Sequence, residues 1–447
     1  MASTYLTRAF SSNTSSTKCT WSFWVKFSAV NTGVSNTGSM LFQARNANNS
    51  NAYRSFIRYE ENATLDFLNY NGSGSLVGEY YTKRKFRDCN SWYHICYSID
   101  TTLSTASDRL KLYVNGVRET EFDTSNYTEL PQNELVKTTS SVFTDISRNG
   151  GSAGYYFNGI LSHYILTDGY VYQADTFGST DTTTGEWKIN PSPTISNWGS
   201  NGFWILKDGN SVTDSSPNSN TFTVGAGTLT KTEDCPSNVF ATLNPLSSLS
   251  TFSYGNTEAE FSSGSGYQTS TTTLGMTSGK YYCEAKVTVN GNYPGFGICE
   301  TNSPHASKLD TANWLGSSGG SFGWYVGTTS GNAIYYNGSG STAPTSFSTN
   351  DIVGMALDLD SAQNTLKYYK NGTLVSTQNI STSSNGWLFG VTHNTNQTPA
   401  RSKFNFGNGY FRSDAVASAG TNASNNGIFE YDVPSGYTAL STKGLNL

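Results

Sequence analysis

Charged residues are scarce in this sequence. Asp, Glu, Lys and Arg make up 13% of its 447 residues, against about 25% in a typical soluble domain. The net charge is −5, and the longest basic run, Lys83–Lys85, has three residues. Nucleic-acid binding requires a basic patch that meets the phosphates, so the composition predicts no nucleic-acid partner.

Long apolar runs are also missing. A membrane-spanning helix needs about 20 apolar residues in succession, and no stretch approaches that length. The segment Met1–Trp21 lacks the apolar core and the small-residue cleavage site of a signal peptide. We therefore expect no membrane insertion and no secretory route, with synthesis in the cytoplasm.

Cysteine and histidine are few and scattered. Six Cys in 447 residues is far below the density of a disulfide scaffold, and no two of them form a Cys-x-x-Cys pair. Cys96, Cys283 and Cys299 lie in apolar segments, which predicts buried thiols. The four His stand alone, and a zinc site needs clustered ligands.

Ser, Thr, Asn and Gly are abundant, as in many disordered chains, but so are aromatic residues. The sequence holds 28 Tyr, 24 Phe and 9 Trp, together 14% of the chain, and disordered chains lack that much aromatic area to bury. Hydroxyls and amides over an aromatic and β-branched interior are typical of sheets. The composition therefore predicts a folded, all-β protein.

Short alternating segments follow one another along most of the chain. In Trp21–Phe27, the residues Trp21, Phe23, Val25 and Phe27 fall on one face of a strand. Gly, Asn and Ser clusters separate this segment from many similar ones. Repeated short strands with turn residues between them predict sandwiches of antiparallel sheets.

The segments divide into three regions. We expect a first sandwich over residues 1–178 and a second one, with a C-terminal tail, over residues 251–447. Between them, residues 179–250 contain five of the 11 prolines. This connector also carries a group of aromatic residues: Trp187, Trp198, Phe203, Trp204 and Phe240. A free linker seldom carries so many, so we expect the connector to pack on its neighbours.

Two Asn-Gly pairs indicate that both sandwiches share the same arrangement of strands and turns. Asn115–Gly116 ends the segment LKLYVNG, and Asn371–Gly372 ends the segment LKYYKNG. An Asn-Gly pair favours the type I′ turn, because both central residues need a positive φ. We therefore predict two jelly-roll-type sandwiches with equivalent hairpins.

A catalytic carboxylate pair is not evident. Glu258 and Glu260 are two residues apart on a predicted strand and would share a face. Glu60 and Glu61 are adjacent and would point to opposite faces. A solvated strand edge explains both pairs. We expect a protein that is not an enzyme.

Asp358 and Asp360 are the candidate metal ligands. They flank Leu359 at the end of an apolar strand and could coordinate calcium together with backbone carbonyls. The alternative is that they accept hydrogen bonds from the amides of a hairpin loop. Calcium is the one cofactor that the sequence leaves open, and no further ligand set supports it, so we expect no cofactor.

Candidate ligand contacts come from aromatic residues in loops and at strand ends. Sugars present flat C–H faces, so a binding site needs a Trp or Tyr ring beside a hydrogen-bonding side chain. Residues of this kind in the two predicted sandwiches are Trp314, Trp324, Tyr335, Tyr336, Asn337, Tyr53 and Arg54. The competing interpretation is that the rings fill the core.

Two parts of the chain resemble known families. The stretch WYHICYSID, followed by DRLKLYVNG and YYFNGILSHYILTDG, resembles laminin-G and concanavalin-like domains over about residues 5–178. The stretch Asp351–Gly372, with GKYYCEAKV, GFGICE and FGWYVG before it, resembles a SPRY domain, also a concanavalin-like sandwich. The closing segment FEYDVPSGYTALSTKGLNL, the connector segment EDCPSNVFATLNPL and the start MASTYLTRAF are similar to proteins of marine phages and other large viruses.

The resemblance implies a virion protein, made in the host cytoplasm, that serves as a fibre, an appendage or a surface decoration. Its expected partners are other virion proteins and a glycan or protein of the host cell surface, and its flat edge strands are suited to pairing between copies in a homo-oligomer. Two alternatives stay open: a purely structural component of the capsid or tail, and a polysaccharide depolymerase.

Overall fold

The chain forms two compact units, Met1–Lys231 and Thr232–Leu447. The computed structural model describes residues 3–10, 15–28, 38–46, 50–150, 154–207, 211–246, 248–262, 264, 266–289, 292–306, 313–318, 320–328, 331–394 and 399–446. The predicted connector is divided between the units, because its residues up to Lys231 group with the first and those from Thr232 group with the second.

The first unit is built almost entirely of short strands. They are β1 Tyr5–Thr7, β2 Ser15–Ser16, β3 Lys18–Phe27, β4 Ser39–Arg45, β5 Arg54–Tyr59, β6 Leu65–Tyr70, β7 Leu76–Thr82, β8 Tyr93–Asp100, β9 Leu110–Val114, β10 Val117–Glu119, β11 Phe122–Thr128, β12 Val136–Lys137, β13 Phe143–Ile146, β14 Gly159–Asp168, β15 Gly178–Thr180, β16 Trp187–Ile189, β17 Phe203–Ile205 and β18 Thr223–Ala226. One helical turn, α1 Ala106–Arg109, and a 3₁₀ turn, Ala174–Thr176, interrupt them.

Two antiparallel sheets make up the sandwich of the first unit. One has eight strands in the order β11-β7-β6-β5-β4-β13-β1-β18, and the other has six in the order β10-β9-β8-β3-β14-β17. Trp21, Phe23, Val25 and Phe27 all lie in the core between the sheets, which confirms the shared face that the alternation predicts.

The second unit repeats this architecture. Its strands are β19 Thr251–Ser253, β20 Glu258–Phe261, β21 Tyr267–Thr271, β22 Lys280–Val289, β23 Asn292–Glu300, β24 Ser321–Thr328, β25 Gly331–Tyr336, β26 Ser339–Thr342, β27 Val353–Asp358, β28 Thr365–Lys370, β29 Thr373–Asn379, β30 Trp387–Asn394, β31 Ala400–Asn405, β32 Tyr410–Phe411, β33 Asp414–Ala415 and β34 Thr438–Ala439. Two 3₁₀ turns, Pro304–Ala306 and Gly444–Asn446, complete it.

Here too an eight-stranded and a six-stranded sheet face each other. Seven strands of the first run in the order β19-β20-β31-β22-β27-β28-β29, with β34 added beside β22, and the second runs β21-β30-β23-β24-β25-β26. A core of apolar and aromatic side chains lies between them. The all-β fold with two sandwiches, predicted from the sequence, is confirmed. Among the described residues, no helix has the length and apolar character of a membrane span.

The two Asn-Gly hairpins are equivalent in detail. The Asn115 backbone N–H donates to the carbonyl of His94 (2.9 Å), and its Oδ1 accepts from the His94 N–H (2.8 Å). Asn371 makes the same two contacts with Ile352, both at 2.8 Å. Both Asn residues have a positive φ, 48° and 47°, so each turn is docked onto the neighbouring strand of its sheet.

The outward face of one sheet in each unit is covered by chain that follows the sandwich. In the first unit, Trp187, Trp198 and Trp204 pack against the outer side of the six-stranded sheet in a second apolar cluster. In the second unit, residues near the C-terminus, including Phe429 and Tyr437, do the same on the eight-stranded sheet. The other sheet carries a smaller outward cluster, around Met40 and Phe56 in the first unit and around Leu315 and Leu388 in the second. Among the described residues, chain that follows the sandwich contributes to neither cluster, and we call these two outward faces the uncovered faces.

Glu284 attaches the C-terminal segment to its sheet. Its fully buried carboxylate accepts from the backbone N–H groups of Glu430 and Tyr431 (both 2.9 Å) and from the Asn405 amide (3.1 Å). The Tyr282 hydroxyl lies 3.3 Å away. Burial raises the pKa of Glu284 to about 7, although these donors lower it in part.

Removing the Asn371 amide is expected to destabilise the second unit. Asn371→Ala loses the contact with Ile352 and the one with Asp351 (2.8 Å), whereas Asn337→Ala is the matched control. Asn337 also starts an Asn-Gly turn with a positive φ of 51°. Asn371→Ala should lower the free energy of unfolding by about 1–2 kcal/mol more than Asn337→Ala, measured by urea denaturation. Equal losses would contradict the docking role.

The raised pKa of Glu284 predicts a pH dependence. The native carboxyl holds its proton up to about pH 7, above the ordinary value of 4.5, so the folded state binds more protons than the unfolded state between these values. The free energy of unfolding should therefore fall as pH rises through this window, by about 3 kcal/mol. Denaturation of Glu284→Gln should show a shallower fall than the wild type. Parallel curves would show that Glu284 does not titrate there.

Candidate functional site

The uncovered face of the six-stranded sheet in the second unit is lined by glycine. Gly390, Gly297 and Gly323 are paired directly across β30, β23 and β24, and we call them the glycine row. They point outward, because their strand neighbours Phe296, Phe322 and Phe389 lie in the core. Without side chains in this row, another segment can approach the sheet backbone closely.

The segment Asn313–Ser318 occupies this space. Leu315 lies over the glycine row with none of its surface exposed, and its methyl groups contact Gly390. The Leu315 N–H donates to the Thr392 hydroxyl (3.3 Å), and the Gly316 N–H donates to the Ser321 hydroxyl (2.8 Å). These contacts fix the position of Trp314.

Trp314 is the centre of an aromatic cluster on this face. Its ring stands edge-on to Tyr335 at 4.7 Å between centroids and to Tyr325 at 5.2 Å, and Tyr267 lies 5.9 Å away. Tyr325 is buried, whereas the other three rings are half-buried. We call these four residues the Trp314 cluster. It presents fixed aromatic surface to solvent.

Asn337 lies beside this cluster. It is exposed at the tip of the hairpin that joins β25 to β26, and the following Gly338 donates its N–H to the carbonyl of Gly316 (2.8 Å). The turn is thereby tied to the segment that carries Trp314. The structure thus places the predicted Trp314 indole against the predicted Tyr335 phenol, and the turn that holds the exposed Asn337 is bonded to the same segment.

The other two predicted contacts in this unit lie elsewhere. Trp324 has no exposed surface and packs in the core against Phe347 and Tyr368, so its indole is not available to a surface ligand. Its neighbour Tyr325 points outward instead. Tyr336 is 41% exposed and stacks on Phe322 at 4.4 Å.

In the first unit, the structure places Tyr53 and Arg54 at the start of β5. Tyr53 is 37% exposed and packs against Gly72 in the turn between β6 and β7. Arg54 lies over the rings of Phe56 and Tyr70, at 4.5 and 4.7 Å. Arg54 belongs to the outward side of the eight-stranded sheet, whereas Tyr53 lies just before β5 with a positive φ of 48°.

Asp358 and Asp360 act as loop carboxylates. Asp358 accepts from the N–H groups of Asp360 and Ser361 (both 3.0 Å) and pairs with Lys280 (3.0 Å). Asp360 accepts from the Gly279 N–H at 2.6 Å. These are the contacts of the hairpin-loop alternative. Among the described residues, no group of three or more His, Cys, Asp and Glu side chains is arranged to hold a metal ion.

Three cysteine thiols and the His94 imidazole are buried. Cys96, Cys283 and Cys299 are buried, as predicted. His94 is also buried, between the Ser22 hydroxyl (2.9 Å) and the Trp187 indole N–H (3.1 Å). Burial lowers the pKa of His94 to about 3. The imidazole is therefore neutral, and it connects Ser22 on β3 with Trp187 on β16 by hydrogen bonds.

Comparison with known proteins supports the fold of the first unit. Residues 2–170 match the family model Laminin G 3, described as the Concanavalin A-like lectin/glucanases superfamily. No curated protein matches the chain in sequence.

Several solved structures are similar to about a third of the chain. The TRIM65 PSpry domain is 16% identical, with 37% of this chain and 88% of that domain covered and a TM-score of 0.30. The SPRY domain of human HERC1 is 18% identical, with coverages of 36% and 96% and a TM-score of 0.29. Stonustoxin is 14% identical, with coverages of 37% and 28% and a TM-score of 0.31.

Tyr325 and Tyr267, two members of the Trp314 cluster, are not among the contact residues predicted from the sequence. Their signal is the spacing of Gly295 and Gly297, two residues apart on a strand, which marks a face without side chains. Gly323 continues this face on the next strand. A glycine face beside aromatic residues indicates that another segment lies on the sheet.

A side chain at Gly323 should displace the segment that carries Trp314. In Gly323→Ala, the new methyl group would overlap the Leu315 carbonyl oxygen and the Tyr325 ring. We expect a loss of about 1–3 kcal/mol in the free energy of unfolding and a changed near-UV circular dichroism signal. Gly275→Ala is the control, since its nearest neighbour is a Thr301 methyl at 3.3 Å. A Gly323→Ala spectrum identical to the wild type would contradict this arrangement.

Proposed function

We propose that this protein is a non-catalytic binding module of a virion that attaches to glycans of the host surface through the Trp314 cluster. The observation that carries the proposal is the half-buried Trp314 ring, held by a glycine-lined sheet next to Tyr335. A pyranose ring needs a rigid aromatic surface with a hydrogen-bonding group at its edge. Asn337 supplies that group.

The electrostatics of the chain fit a neutral ligand at this site. The Trp314 indole has no acidic or basic group, and Asn337 offers both a donor and an acceptor. The chain as a whole has 13% charged residues and a net charge of −5. Contact between rings and C–H groups therefore dominates over long-range attraction, which favours neutral sugars.

The virion assignment is supported by sequence resemblance. The segment Phe429–Leu447 and the segment EDCPSNVFATLNPL are similar to those of viral proteins. In this proposal the partners are other virion proteins on one side and a host glycan or protein on the other, and the location is the virion surface as a fibre, an appendage or a decoration.

The alternative of a polysaccharide depolymerase is less well supported. The matching family description covers both lectins and glucanases, so carboxylates near the sheet faces are relevant. Asp66 and Glu60 both pair with Arg58, at 3.0 and 2.5 Å, and Glu260 pairs with Arg401 at 2.8 Å. These carboxylates are held in ion pairs, which supports a structural role for them.

Replacing Trp314 should abolish glycan binding. On a glycan array followed by calorimetric titration of the best ligand, Trp314→Ala is expected to weaken binding at least tenfold, because a central aromatic contact is lost. Tyr410→Ala is the matched control, since Tyr410 is a half-buried ring on β32, outside this sheet. Unchanged binding by Trp314→Ala would contradict the assignment of the site.

The same preparations separate the other two functions. Release of reducing sugar from a bound polysaccharide between pH 5 and 8 would establish a depolymerase. A wild-type chain that binds no glycan or host protein, but assembles into particles, would be a purely structural component.

A further inference from the structure

A second row of side chains crosses the uncovered face of the eight-stranded sheet in the first unit. Phe143, Arg45, Arg54 and Tyr70 are direct neighbours on β13, β4, β5 and β6. We call these four residues the arginine row. Two guanidinium groups therefore stand opposite each other, with an aromatic ring at either end.

Like charges placed directly opposite on a sheet destabilise it, and this pair is also partly removed from water. Arg45 is only 1% exposed, and its Nε has no hydrogen-bond partner. Its Nη2 donates to the carbonyl oxygen of Gly150. Burial, Arg54 and Arg148 all lower the pKa of Arg45.

Carboxylates do not fully compensate this charge. Arg148 pairs with Asp145 at 2.9 Å, and Asp145 also attracts Arg45. In the part of the chain that the structure describes, neither Arg45 nor Arg54 forms an ion pair with a carboxylate. Arg45 and Arg148 thus share one carboxylate, Asp145, and the charge of Arg54 is influenced by Tyr70 and Arg58 and not by a carboxylate.

At the opposite end of the face, carboxylates outnumber guanidinium groups. Arg58 lies four residues along β5 from Arg54, with Phe56 between them. It pairs with both Glu60 and Asp66. One guanidinium there meets two carboxylates. The surplus positive charge is therefore confined to the arginine row and its neighbour Arg148.

Aromatic rings hold two of the guanidinium groups in place. Arg54 lies over Phe56 and Tyr70, and Arg148 lies over Tyr5 at 3.6 Å. A guanidinium stacked on a ring keeps its N–H edge free for in-plane acceptors. Arg54 and Arg148 are both partly exposed, while their Nε atoms are buried without a hydrogen-bond partner.

We propose that the arginine row and Arg148 form a binding site for a carboxylate-bearing sugar, such as a hexuronate unit of an acidic polysaccharide. The planar carboxylate matches the guanidinium fork in a bidentate contact, and it would relieve the repulsion between Arg45 and Arg54. The exposed ring of Tyr53, next to Arg54, provides a surface for the pyranose.

This site is separate from the Trp314 cluster and does not depend on it. The charge chemistry differs, because the cluster carries no charged group, whereas the arginine row carries surplus positive charge. The Trp314→Ala variant should therefore bind the acidic sugar as the wild type does, so failure of one site leaves the other intact.

The experiment is a calorimetric titration of the full chain with trigalacturonate. Matched probes are neutral galactotriose, a triglutamate peptide and inorganic sulfate. We expect the wild type to bind trigalacturonate at least tenfold more tightly than each of the other three, because only this probe combines the carboxylate with a sugar ring. Arg54→Gln should weaken trigalacturonate binding about tenfold or more, and Arg54→Lys should weaken it less, since the charge stays but the fork is lost.

Arg87→Gln is the control variant, since it removes the same charge from an exposed loop and should bind normally. Arg54→Gln should keep an unfolding midpoint close to that of the wild type, because lost ring contacts are offset by relief of the repulsion from Arg45. The proposal is overturned if the wild type does not bind trigalacturonate, if any other probe binds equally well, or if the Arg54 and Arg87 variants lose affinity alike.

Discussion

The pleat of the β-strand is the constraint on which this structure depends. Successive side chains point to opposite faces, and in both units one face of every long strand is committed to the core between two sheets. Trp21 and Phe23 show this in the first unit, and Phe322 and Trp324 show it in the second. The exposure of the outward side chains therefore depends on which segments of the chain pack on the outer face of each sheet.

In both units one sheet is closed on its outer side by later parts of the chain, with Trp187 and Trp204 in the first and Phe429 and Tyr437 in the second. The remaining sheet of each unit carries only a smaller outward cluster. One such face has glycine, so that a segment bearing Trp314 lies close to the backbone. The other has a row of arginine and aromatic side chains. The same architecture thus offers two surfaces of different chemistry.

Much of the fold follows from the sequence, because alternation and turn residues are local signals. The segments LKLYVNG and LKYYKNG predict hairpins, and Asn115 and Asn371 make the same contacts in both units. The site is harder to predict. In FGWYVG two aromatic residues are adjacent, and the sequence does not show which one faces the core; Trp324 does, and Tyr325 does not. The pairing of Arg45 with Arg54 depends on strand register, which composition does not encode.

We infer that ligands bind to the uncovered sheet faces and not to the turns at the ends of the sandwiches. A structure of the chain with a bound fragment of host-surface polysaccharide tests it most directly. We expect a sugar ring to lie against Trp314 and Tyr335, with Asn337 at its edge. A sugar bound at the Asn115–Gly116 or Asn371–Gly372 turn, with both faces empty, would contradict it.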